Sequence, residues 1–189
     1  MGANSALIFG IIINVAILLV FFRFLMQLAA VSPYNPVVLS TVKATKIVDI
    51  FGSIIPTLGK GRVNTAALVL LVVLYLLKIF GENHLSGTSL SGPVHLVILT
   101  FVTMIQDLIR FCRYLIFATI ILSWVVMFTQ SRSPYIEVIQ ELAEPLLAPF
   151  RKIMPNMGMI DLSPILAILT LLLIEMIMSK VAFVLLTGL

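Results

Sequence analysis

Charge is the scarcest feature of this chain. Twelve basic and eight acidic residues make up 11% of its 189 positions, against about 25% in an ordinary soluble domain. A compact monomer of this mass would expose on the order of 9,000 Å², so its charges would lie at less than half the usual density. That excludes a water-soluble globule. Cysteine is nearly absent, since Cys112 stands alone; this excludes an internal disulfide framework and a multi-cysteine metal site. No Ser-His-Asp set or acidic pair stands where a catalytic pocket could form. His84 and His95 have no converging ligands, and Gly59-Lys60-Gly61-Arg62 lacks the spacing of a phosphate loop. Neither enzyme activity nor a cofactor is expected. The net charge of +4 comes without aromatic interleaving, so nucleic acid is not an expected partner. The N-terminal stretch lacks a basic n-region and a small-residue cleavage site, and reads as a retained anchor.

What the chain has instead is apolar residues, 61% of the total. They fall into four runs. The first covers about Ala3 to Val31, the second Val63 to Phe80, the third Val94 to Phe128 and the last Leu162 to Leu186. Each can cross about 30 Å of hydrocarbon, the second with help from snorkelling Arg62 and Lys78. The third holds 35 residues without Pro or Gly, which as one helix is about 52 Å long. Two readings compete for it: one long helix whose residues 94–105 lie along or above the membrane surface, or two short spans meeting near Arg110. The lack of turn residues favours the first. Gly81 to Pro93 reads as a flexible aqueous connection.

The chain resembles itself. Shifted by 99 residues, Phe51 meets Phe150, Ile54 meets Ile153, Pro56 meets Pro155 and Gly59 meets Gly158. With a one-residue gap, Asn35-Pro36 meets Ser133-Pro134. The expected fold is therefore all-α: four transmembrane helices in two tandem parallel repeats, each with an interfacial amphipathic helix between its spans. Residues 1–83 form the first repeat, 84–97 a polar linker running into the third helix, and 98–189 the second repeat. Asn35 and Ser133 read as N-caps, each followed by Pro at the first helical position. After Pro134 the apolar residues recur every 3.6 positions opposite Glu137, Gln140, Glu141 and Glu144, the pattern of a helix lying in the headgroup region. Pro145 and Pro149 predict a break into two short helices near Glu144. The interfacial segments carry seven basic residues, Lys43, Lys46, Lys60, Arg62, Arg132, Arg151 and Lys152. The positive-inside rule then places these segments in the cytoplasm and both termini outside.

The second repeat is similar to a motif of the YggT family of small membrane proteins. It contains Ser133-Pro134, then Glu144-Pro145-Leu146-Leu147-Ala148-Pro149, the basic pair Arg151-Lys152, the turn Pro155-Asn156-Met157-Gly158, and Asp161; Ser123-Trp124 before it also fits. The first repeat is eroded. Lys46 stands where the first motif proline would be, and Gly52-Ser53 where the basic pair would be. The resemblance implies an integral protein of the bacterial inner membrane or the thylakoid. It also implies a role in cell division and membrane organisation, in osmotic or ion tolerance, or in the assembly of a membrane complex such as a plastid b-type cytochrome.

The polar residues inside the spans that could line a path are mainly four: Arg23 and Gln27 in the first, Arg113 in the third and Glu175 in the last. Ionisable groups in a membrane pair with one another or mark a pathway. Glu175 and Arg113 should sit at similar depth, with Arg23 shallower. Asp107 and Arg110 can pair at i, i+3, most simply at the outer rim of the membrane. Arg151 and Lys152 stand beside the headgroups, where each basic residue gains about 1 kcal/mol from anionic lipid. The expected protein is a non-enzymatic scaffold or assembly factor that inserts proline-broken amphipathic wedges into one leaflet. The alternative is a transporter or channel accessory. Expected partners are the bilayer, anionic lipid headgroups, a membrane or cytoplasmic protein, and a second copy of the chain.

Overall fold

A computed structural model of the chain describes residues 2–53, 55, 57–58, 61–87, 92–130, 133–153 and 161–187, with the side chains of residues 2 and 3 undescribed. These residues form seven helices: α1 Gly2–Leu28, α2 Pro36–Ala44, α3 Ile47–Gly52, α4 Thr65–Ser86, α5 Pro93–Thr129, α6 Pro134–Ile153 and α7 Ser163–Thr187. Four of them, α1, α4, α5 and α7, are long and apolar enough to cross a membrane. Among the described residues the only extended pairing is one bridge, Leu58 to Val63.

α1 packs along α4, α4 against α5, and α5 along α7. No comparable contact joins α1 to α7 among the described residues, so the four make an open arc and not a closed bundle. The accessible surface, 11994 Å², is about a third above the roughly 9,000 Å² of a compact globule of this mass. The excess is apolar: Ile8, Ile12 and Val15 on α1, and Leu169, Leu173, Ile177 and Val184 on α7, face outward. In water that would be untenable; in lipid it has no cost.

Two cores hold the arc together. One joins Ile13, Ile17, Val20 and Phe24 of α1 to Val48 of α3 and to Ala67, Leu71 and Tyr75 of α4. The other joins Leu115 and Ile116 of α5 to Val138, Leu142, Ala143 and Leu147 of α6 and to Ala167 of α7, with Met26 and Val31 reaching across from the first half. Helices α2 and α6 touch, so the short helices of both halves lie at the same end of the arc.

Asn35 caps α2, its Oδ1 accepting from the Val37 amide at 2.9 Å, and Pro36 follows as the first helical residue. Ser133 caps α6 in the same way, its hydroxyl accepting from the Ile136 amide at 3.4 Å ahead of Pro134. Both caps match the sequence expectation.

One choice between two readings is decided, and two expectations need correction. α5 is one continuous helix of 37 residues, about 55 Å long, so the hairpin reading of this stretch is excluded. α4 does not stop at Phe80 but runs on to Ser86, ending where Gly87 turns left-handed at φ 71°; the fall in hydropathy marked the edge of the apolar face, not the helix end. Finally, α6 passes through Pro145 and Pro149 unbroken. Each proline deprives the carbonyl four residues earlier, on Glu141 and Pro145, of its helical donor. Both prolines and Glu141 are exposed, so those carbonyls can bind water. The break falls instead in the first half, at Thr45-Lys46 between α2 and α3.

Candidate functional site

The sequence-predicted polar residues separate into three groups. The first lies halfway along the long helices. Tyr75, Arg110 and Glu175 each stand within one or two residues of the middle of α4, α5 and α7. The Arg113 guanidinium contacts the Glu175 carboxylate. Arg110 lies 3.7 Å from the same carboxylate and donates to Asp107 at 2.8 Å. The Tyr75 hydroxyl donates to Asp107 at 3.0 Å. Two acids and two arginines therefore form a neutral network across α4, α5 and α7. Glu175 and Arg113 come together as their expected depths required. Asp107 and Arg110 pair as their spacing predicted, near the middle of α5.

Arg113 and Glu175 are each about one-fifth exposed, whereas Arg110 is 44% exposed. It borders an open cleft of about 210 Å³ lined also by Asn14, Phe21, Tyr75, Asp107 and Tyr114. Sequence reading missed Asn14 and Tyr75. Asn14 is the one strongly polar residue between Ala6 and Phe22, and Tyr75 is a phenol inside the second run.

The second group lies nearer the short helices. Arg23 is 8% exposed. It donates to the Thr45 carbonyl at 2.8 Å, to the Thr45 hydroxyl at 3.1 Å and to the Val42 carbonyl at 3.4 Å, and it pairs with Asp49. These carbonyls end α2, where the helix dipole favours a cation. Four residues on, Gln27 donates to the Gly61 carbonyl at 2.7 Å and accepts from Asn64 at 2.8 Å, while Asn64 Oδ1 caps α4. Arg23 and Gln27 thus tie the α2–α3 break and the start of α4 to α1. They share no contact with Arg113 or Glu175.

The third group is the motif of the second half. Arg151 donates to Glu144 within α6 and, at 3.0 Å, to Asp161. Asp161 Oδ1 accepts from the Ser163 amide at 2.9 Å and so caps α7. Burial alone would raise the Asp161 carboxyl, but the Ser163 and Arg151 donors carry it below its usual range. Burial likewise opposes the Arg151 charge, and Glu144 and Asp161 together raise its affinity for the proton. The motif is a clamp from the charged face of α6 to the cap of α7. Lys152 is exposed at its edge. Pro155 and Gly158 lie outside the described residues.

The apolar face of α6 is already covered, since Val138, Leu142, Ala143 and Leu147 are at most 3% exposed. It packs on α5 and α7 and is not free to enter lipid, contrary to the expected wedge. The apolar side chains that do face outward at this end belong to the first half: Leu39, Ile47, Ile50 and Phe51, next to exposed Lys43 and Lys46. Among the described residues no group of three or more His, Cys, Asp or Glu side chains is placed to hold a metal ion.

Four apolar helices around a neutral ionic layer, with short helices gathered at one end, define a multi-pass helical membrane protein. The family model described as CCB3/YggT matches residues 98–182, the stretch from α5 to α7. An uncharacterized Pseudomonas aeruginosa protein is 34% identical over 93% of this chain and 89% of its own length. An uncharacterized Haemophilus influenzae protein is 32% identical over 90% and 88%. The Escherichia coli K12 protein YggT, also uncharacterized, is 30% identical over 90% and 86%. No solved structure matches. The chain belongs to the YggT family, and its bacterial relatives with its four apolar helices make it a bacterial membrane protein.

Proposed function

We propose that this protein is a non-enzymatic scaffold or assembly factor of the bacterial cytoplasmic membrane. In this reading α2, α3 and α6 lie on the cytoplasmic face, the two halves are tandem parallel repeats, and the molecule presents a rigid surface to a membrane or cytoplasmic protein partner. The observation that carries it is the clamp of Glu144, Arg151 and Asp161. The described motif residues form two ion pairs and a helix cap. They fix one helix so that Tyr135, Glu137, Gln140, Glu141 and Pro145 point outward from a buried base. A preformed surface binds without the ordering cost of a loop. Anionic lipid is met by Lys43 and Lys46 beside the exposed apolar residues of α2 and α3.

Photocrosslinking in intact membranes from Glu137 and Gln140 tests this. One discrete protein adduct, lost when Arg151→Glu breaks the clamp, is the expected result. Lipid adducts alone at both positions would overturn it.

The neutral layer on Asp107, Arg110, Arg113 and Glu175 supports a second reading, an accessory of ion or solute transport in osmotic homeostasis. Proteoliposome flux that survives Arg151→Glu but is abolished by Glu175→Gln would select that reading instead.

A further inference from the structure

Helix α4 carries a polar stripe. Tyr75, Lys78, Glu82 and Ser86 stand at steps of three or four residues, so they share one face. The Lys78 ammonium lies 5.8 Å from the centre of the Tyr75 ring. Across from this stripe, α1 contributes Gly10 and Asn14. A Cβ on Gly10 would stand 2.9 Å from a Glu82 carboxylate oxygen, so the acid lies directly against the α1 backbone. A cleft of about 520 Å³ is lined by Gly10, Asn14, Glu82 and Ser86 together with Ala6, Leu7 and Ile11. Asn14 also lines the mid-membrane cleft with Tyr75, Asp107 and Arg110. The two clefts therefore meet at Asn14 and run from the Ser86 end of α4 to the ionic layer.

The path ends there. At the wall of the cleft, one residue beyond Arg110 along α5, the rings of Phe21 and Phe111 stack at 6.1 Å and Phe22 meets Phe111 edge-on at 6.4 Å.

A carboxylate, an amide and a half-exposed guanidinium are costly against hydrocarbon unless a polar partner meets them. Asn14 is exposed at the middle of α1 and has no hydrogen-bond partner among the described residues. Acyl chains offer no donor or acceptor. Water does, and the volume allows several molecules at about 30 Å³ each.

We infer that the groove between α1, α4 and α5 is a one-sided aqueous vestibule that hydrates the mid-membrane Asp107–Arg110 pair from the side opposite α2, α3 and α6. Water enters past Ser86 and Glu82, reaches Asn14, and stops at the Phe21–Phe111 plug. The vestibule stands apart from the scaffold reading, which concerns the other end of the molecule.

Thiol accessibility tests it, because a charged methanethiosulfonate reacts with thiolate and only where water reaches. Cys112 is buried and is first replaced by Ser. Single cysteines are then placed by Asn14→Cys and Leu18→Cys in the groove, by Val15→Cys on the outer face of α1 at the same depth, and by Lys152→Cys as a marker for the α6 side. The reagent is added to right-side-out and to inverted vesicles. Asn14→Cys should label at least tenfold faster than Val15→Cys, and from the face opposite to the one that labels Lys152→Cys. Equal rates at positions 14 and 15 would mean a lipid-filled groove, and labelling of position 14 from the Lys152 side would mean that the plug is not one; either overturns the inference. Should Asn14→Cys fail to insert, Leu18→Cys carries the same comparison, since Leu18 lines the mid-membrane cleft.

Discussion

Asn35 and Pro134, 99 residues apart, meet where the two halves join: the Asn35 side-chain amide donates to the Pro134 carbonyl at 3.1 Å. The cap of α2 is thereby bonded to the first residue of α6. The same Asn35 side chain closes α2 through its oxygen, so one buried residue serves a local and a long-range role. Asn35→Ala removes both and should cost about 1–3 kcal/mol of stability. Asn35→Ser keeps a capping oxygen and should cost less. Thermal unfolding in mild detergent gives the order wild type, Ser, Ala; equal losses for Ser and Ala would show that the cap contributes nothing, and a Ser variant as stable as wild type would show that the bond to Pro134 contributes nothing.

The ionic layer should behave as one unit. Glu175→Leu leaves Arg110 and Arg113 facing each other with only Asp107 between them. Breaking a buried pair by removing one partner typically costs about 3–5 kcal/mol. Glu175→Leu combined with Arg113→Leu should therefore be less damaging than the sum of the single changes, and a double-mutant cycle on unfolding in detergent measures the difference.

The clamp at Asp161 predicts a pH dependence. A carboxyl held below its usual value stabilises the folded state fully above the unfolded value of about 3.9, and that contribution fades as pH falls through the depressed folded value. Asp161→Asn keeps the α7 cap but not the charge. Wild type should unfold at a higher temperature than this variant near neutral pH, and the two should converge in strong acid. The gap should be modest, because water screens these half-exposed groups. A gap that widens on acidification would refute the assignment.

Gly81 of α4 packs directly against Phe9 of α1. A Cβ there would lie 2.4 Å from the Phe9 ring, well inside contact distance. Gly81→Ala should destabilise the pair by about 1–3 kcal/mol. Phe9→Leu should recover much of the loss by removing the ring. A Gly81→Ala protein as stable as wild type would show that Phe9 moves aside freely.

Four crossing helices, the two Asx or Ser caps with their prolines, and the Asp107–Arg110 pair were legible from the chain, because each depends on residues close in sequence. Hydropathy and spacing report local chemistry directly. The end of α4 was misread for the same reason. Glu82, Asn83 and His84 lower hydropathy without lowering helical order, and Asn83 bonds back to the Ile79 carbonyl at 2.7 Å. The prolines of α6 misled because their cost depends on whether water can reach the freed carbonyls, which is a matter of burial.

The amino-acid sequence alone determined that this chain lives in a bilayer, since so few charges on so much apolar surface leave no other solvent. It also determined where the chain crosses and where the helices of its second motif begin. Only the tertiary structure decided which charges meet. Arg113 finds Glu175 across 62 residues, Arg23 finds the end of α2 and not the central layer, and the oily side of α6 faces protein instead of lipid. Those outcomes depend on how helices rotate against one another, and a helix reading of one segment at a time carries no information about its neighbour's angle.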